Sequence, residues 1–239
     1  MTKDAKKKEV EVAKKFDVDM PGAKISTPEY DSNLGMEDLI LPRVELMQAM
    51  SPAVSLGDAV AGALINNITK DDLGSPNIVP IYLTKNWIRW RKREEGGGMV
   101  WRSSDPNDER VINESAWGAD GAKPLATAYL NFLCLVDGED MPIIVSFCNT
   151  SYKAGRKLFT LTKMSPGSLY DCQYKLSSKT QTNNKGTFYV YEVARVGPST
   201  DEQREQARSF GKMFAGTELN FEAETEAAKP STGDLGDEF

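Results

Sequence analysis

The 239-residue chain contains no histidine and only three cysteines, Cys134, Cys148 and Cys172. Without imidazole there is no Ser-His-Asp or Cys-His nucleophile, no imidazole metal ligand and no His acid–base chemistry. The cysteines are odd in number and widely separated, each inside an apolar run. They form neither a disulfide framework nor a zinc site and read as reduced core residues. No apolar run approaches the roughly eighteen residues of a membrane span, and the N-terminus lacks a signal-peptide core. A soluble, intracellular protein without a cofactor is the expectation. A phosphate loop is also lacking: Gly96-Gly97-Gly98 belongs to no GxxxxGK[ST] pattern, and the stretch from Gly118 to Lys123 has the wrong spacing.

Net charge is small and unevenly placed. The formal total is -6, from 29 basic and 35 acidic residues. The final stretch, 218–239, holds seven carboxylates (Glu218, Glu222, Glu224, Glu226, Asp234, Asp237, Glu238) against Lys229 alone. Without it, 28 charges of each sign remain over residues 1–217. The body is neutral on average, which leaves room for a local basic groove. Pro230, Gly233 and Gly236 break any period in this stretch, and its sparse apolar residues predict a disordered acidic tail closed by Phe239.

In chain order, residues 1–35 predict a flexible basic arm carrying Lys3, Lys6, Lys7, Lys8, Lys14 and Lys15. Pro42 and Pro52 cut the next apolar stretch into short pieces, and Val44 to Met47 fits a strand or a helical turn equally. Ile78 to Leu83 reads as a strand with Pro80 at an edge or bulge. Period two over 85–93 then places Trp87, Arg89, Arg91 and Arg93 on one face, with Ile88 and Trp90 facing the core. A glycine turn leads back through Trp101 and Arg102, and 103–125 reads as a long polar loop. Thr127 to Val136 alternates, with Tyr129 and Asn131 opposite a wholly apolar face. A hairpin turn leads to a strand from Pro142 to Phe147, then a helix over about 152–163 with Lys153, Arg156, Lys157 and Lys163 outside. Strands at 169–179 and 187–196 follow, then a helix opened by a Ser199–Glu202 capping box.

These elements predict a mainly β fold with helices: a β-barrel, OB-fold-like, built as a five-stranded Greek key. An open α+β sheet or a two-sheet sandwich accounts for the pattern less economically. The expected units are the arm (1–35), the barrel domain (36–198), a C-terminal helix (199–217) and the tail (218–239).

Two chemistries compete for these residues. Single-strand binding needs aromatics for stacking and cations that track phosphate. Lys85, Trp87, Arg89, Arg91, Arg93, Trp101 and Arg102 supply both, and Tyr129 of the strand from Thr127 to Val136 joins them. A second set joins Tyr189, Tyr191 and Arg195 on one strand to Lys175 and Lys179 on its partner, with Lys153, Arg156 and Lys157 on the helix. The same tyrosines also fit an ordinary core. Asp171, Gln173 and Lys175 at alternate positions fit part of a metal-dependent nuclease site, though such sites need further carboxylates.

An acidic tail ending GDLGDEF, a neutral body and an aromatic–basic face together resemble the bacteriophage single-stranded DNA-binding proteins. The resemblance implies a non-enzymatic, sequence-non-specific single-strand binder in phage replication, recombination and repair, working in the bacterial host cytoplasm. It also implies that Asp234, Asp237, Glu238 and Phe239 bind partner enzymes such as a polymerase, a helicase-primase or a nuclease, and it allows a homodimer. The tail is less densely acidic than that family's, and Lys229 to Thr232 interrupt it. A virion or scaffold protein without DNA affinity is the remaining alternative.

Overall fold

The computed structural model describes residues 39–119, 121–184 and 186–214, with the backbone alone for Arg93. The expected arm (1–35) and acidic tail (218–239), with Asp234, Asp237, Glu238 and Phe239, lie outside the described residues.

Alternation in the chain becomes two-sided burial. Leu130, Phe132, Cys134 and Val136 of β5 (Ala126–Val136) face one core, with Ile143, Val145 and Phe147 of β6 (Ile143–Cys148). Leu133 and Leu135 on the opposite side enter a second. Before them come β1 (Val44–Leu46), α1 (Pro52–Leu56), β2 (Leu64–Asn66), β3 (Asn77–Trp90), β4 (Met99–Ser103) and α2 (Glu109–Glu114). After them come α3 (Tyr152–Met164), β7 (Cys172–Asn183), β8 (Gly186–Pro198) and α4 (Asp201–Met213).

The main sheet runs β6-β5-β3-β7-β8, with β4 paired to the far end of β3. Three successive antiparallel strands (β3, β5, β6) and a fourth, β7, that returns beside the first make a Greek key. The mainly β expectation with intervening helices is therefore met, and of the two places expected for Pro80, edge or bulge, the structure has the bulge, where the β3–β5 register shifts between Pro80 and Tyr82. The sheet does not close into a barrel. Among the described residues no ladder joins β6 to β8; the β1–β2 ribbon occupies that gap instead. On one side Ile144 N donates to Pro42 O at 2.8 Å, beside a parallel bridge between Arg43 and Ile144. On the other, the Gln48 side chain acts as a strand would: its Nε2 donates to Tyr189 O (3.0 Å) and its Oε1 accepts from Tyr189 N (2.9 Å).

Helix α3 starts where expected, but Ser151 does not cap it; the Ser151 hydroxyl accepts from Tyr191 N at 3.2 Å. This satisfies another donor on the free edge of β8. Gly155 allows α3 to lie close on β6, since a Cβ there would sit 2.6 Å from Phe147 Cβ. The last helix opens one residue later than expected, with Thr200 and Gln203 forming the capping box. It lays Ala207, Phe210 and Phe214 on Val79, Leu133, Leu135 and Ile144. Each such aromatic contributes about 1.5–3 kcal/mol of burial. The expected polar loop at 103–125 contains the short helix α2, capped by Asp108.

Candidate nucleic-acid interface

The four tryptophans divide differently from the expectation. Trp87 was expected on an open face; it is 8% exposed and packs with Trp101, Val111 and Ala126. The physical reason is α2, which folds over this face of β3 and β4 and supplies Val111 and Glu114. Glu114 accepts from Arg89 Nη1 (2.7 Å) through one oxygen and from Trp101 Nε1 (3.0 Å) through the other. Arg89 and Trp101 are thus engaged in local structure. Lys85 lies over the Trp87 ring at 4.4 Å, and Arg110 over Trp101 at 5.4 Å. Trp90, expected in the core, is half-buried on the other face, where Nε1 donates to the Tyr129 hydroxyl at 3.0 Å. Trp117, which had no expected role, is 66% exposed. It precedes a turn in which Gly118 N donates to Ala122 O and Gly121 N to Gly118 O.

The second set is also rearranged. Tyr191 is buried, edge-on to Phe147, and its hydroxyl donates to Val44 O at 3.0 Å. Burial raises its pKa. Tyr189 is half-buried against Gly62, so neither tyrosine presents an open ring. Lys179 pairs with Glu192 at 2.6 Å, and Lys157 reaches the same carboxylate electrostatically. Helix α3 lies beside β8, with Lys153, Arg156 and Lys157 exposed. Lys175 is exposed too, but it alternates with the buried Tyr174 and Leu176 and so points away from the core that α3 covers. Arg195 is exposed and donates to Cys172 Sγ at 3.3 Å. Arg91 is exposed; Arg102 is half-buried and engaged.

The alternative nuclease constellation does not assemble. Asp171 lies in the turn before β7, where its carboxylate accepts from Ser168 N at 2.5 Å. Among the described residues no group of three or more acidic or cysteine side chains is arranged to hold a metal ion.

The outer face of β3, β5 and β6 carries a cluster that period-two reading had divided between strands. Paired residues share a face. Thr84, Asn131 and Ser146 form one cross-strand row, and Asn86, Tyr129 and Cys148 the next. Asn131 Nδ2 donates to Asn86 Oδ1 at 2.9 Å inside the sheet. Burial pushes the Tyr129 phenol up to about 12; neighbouring Cys148 adds to this, and the Trp90 donor and the Arg43 charge oppose it. Tyr82, one row further down, is 49% exposed. Of this face only Tyr129 was expected to bind DNA; Asn131 was expected simply to point away from the apolar side. A signal was available in the sequence, because Asn131 and Ser146 are polar residues inside otherwise apolar runs, LNFLCLV and IIVSFC.

The site is thus the polar, aromatic-edged outer face of a Greek-key sheet. The family model described as Pam3 phage gp34-like protein matches residues 19–220. The chain belongs to that family, and its relatives are phage proteins. No curated protein and no solved structure matches it.

Proposed function

We propose that the protein binds single-stranded DNA during phage replication or recombination, without catalysing a reaction. The observation that supports this reading is the outer face of β3, β5 and β6, where Tyr82, Tyr129 and Trp90 border polar side chains on a Greek-key sheet. The faces of OB-type Greek keys and the loops beside them are a common platform for oligonucleotides. Sequence-tolerant binding joins such aromatics to cations that follow the phosphates. Here the cations are Lys153, Arg156 and Lys157 of α3 with Lys175, Lys179 and Arg195 of the β7–β8 hairpin, and Arg91 and Arg102 at the other arm. Trp117 takes the stacking role that burial denies to Trp87.

The tail is the second part of the proposal. Its carboxylates compete with DNA for these cations, and Asp234, Asp237, Glu238 and Phe239 engage a replication or recombination enzyme once released.

Titration with oligo(dT) at low salt, followed by tryptophan fluorescence, tests the reading. Binding should quench emission, and Trp117→Ala should remove most of the quenching and weaken affinity about tenfold, the loss of one stacked base. Unchanged emission together with no mobility shift of the oligonucleotide would refute it.

A further inference from the structure

Thr84, Asn131 and Ser146 lie side by side across three strands, and each holds a polar atom shielded from solvent with no hydrogen-bond partner: Thr84 Oγ1, Asn131 Oδ1 and Ser146 Oγ. Buried polar atoms are nearly always paired, so three consecutive exceptions in one row call for a reason. The row adjoins the aromatic one, between Tyr82 below and Tyr129 above. Asn131 is 1% exposed, and its amide nitrogen is already committed to Asn86 Oδ1 at 2.9 Å. That commitment leaves the Asn131 oxygen as an acceptor between two hydroxyls, each able to donate.

We propose that this row reads the edge of a nucleobase, favouring bases with a ring N–H at the centre of that edge, thymine and guanine, over adenine and cytosine. The proposal rests on the single-strand-binding reading above. Thymine presents acceptor, donor, acceptor along its edge, the complement of hydroxyl, amide oxygen, hydroxyl. Guanine keeps the central N–H, and a hydroxyl can accept from its amino group. Adenine and cytosine put a ring lone pair opposite the Asn131 oxygen, which repels it. The fan of neighbouring strands, about 4.8 Å apart, suits carbonyl groups that accept from the side. Because the three atoms are shielded, binding has to open the face. Arg43, whose backbone bridges to Ile144 and whose charge acts on Tyr129, lies near this face.

The test compares labelled oligo(dT) and oligo(dC) of equal length on the full-length protein by fluorescence anisotropy. Both are pyrimidine strands, and they differ at the edge in question. Wild type should favour oligo(dT) about tenfold, the worth of a correctly read edge. The double substitution Thr84→Val and Ser146→Ala removes two unpartnered hydroxyls, keeps side-chain shape and leaves the Asn131–Asn86 bond intact. It should cut that preference several-fold while raising the melting temperature by about 4 °C or more. Should the double variant fail to fold, Ser146→Ala alone gives the same two readouts. Equal binding of the two strands, or preference for oligo(dC), overturns the base-edge proposal and leaves single-strand binding standing. A variant that keeps the full preference, or that melts below wild type because ordered water already satisfies the hydroxyls, also overturns it. Binding to neither strand removes both proposals at once.

Discussion

Tyr129 connects the outer face to the pH behaviour of the fold. Its phenol ionises near 12 rather than the ordinary 10.0, chiefly through burial. A raised folded-state pKa means a contribution fully present below about pH 10 and lost as pH rises through about 12. Two pKa units correspond to roughly 2–3 kcal/mol. Denaturant midpoints should therefore fall between pH 10 and 12, with Tyr191, raised by burial as well, adding to the loss. Tyr129→Phe should flatten that fall measurably; an unchanged pH profile would show that Tyr129 does not couple to folding. At this scale, charge and polarity were readable but exposure was not. Trp87 shares alternate positions with Lys85 and Arg89, which reads as a solvent face, yet those cations only fringe a small core.

Among the elements, the unpaired edge of β8 is the one that most needs explanation. A long exposed edge invites pairing with other chains. Here side chains from distant segments cover it, Gln48 at Tyr189 and Ser151 at Tyr191. Gln48→Ala removes two hydrogen bonds from this edge. It should cost about 1–3 kcal/mol and speed hydrogen exchange at the Tyr189 amide, while the amides within the β3–β5 ladder keep their protection. Loss of protection across the whole sheet would instead make Gln48 a determinant of the global fold. The long strands and their turns were legible in the chain because period two and turn residues are local signals, whereas the three-residue β1 and β2 are too short to show a period. Helix α2 was not, because six residues in a polar loop carry too little period; Asp108 as a cap was its one visible mark.

For the whole molecule, the prediction concerns charge. Helix α3 carries Lys153, Arg156, Lys157 and Lys163 with no acidic residue, and it lies beside the β7–β8 hairpin. If these cations follow phosphates, Lys153→Ala and Arg156→Ala should each lower the salt dependence of log K by about 0.7 per lost contact, for any base composition. Deleting 218–239 should tighten binding at low salt and abolish partner recruitment. Salt slopes unchanged by the α3 substitutions would move the phosphate path to the other arm. Unchanged affinity and unchanged recruitment after the deletion would remove the tail from the mechanism.

The amino-acid sequence by itself determined the mainly β class, the order of the long strands with the two long helices among them, the absence of histidine chemistry and the separation of an acidic end from a neutral body. Those properties follow from local periodicity, turn chemistry and composition, which need no partner strand to be expressed. Tertiary structure alone decided that the sheet stays open between β6 and β8, that Gln48 substitutes there for a strand, and that α2 buries Trp87 and Trp101. It also decided that Thr84, Asn131 and Ser146 meet in one row. Register and packing join residues tens of positions apart, and a side chain's burial depends on what the rest of the chain lays over it.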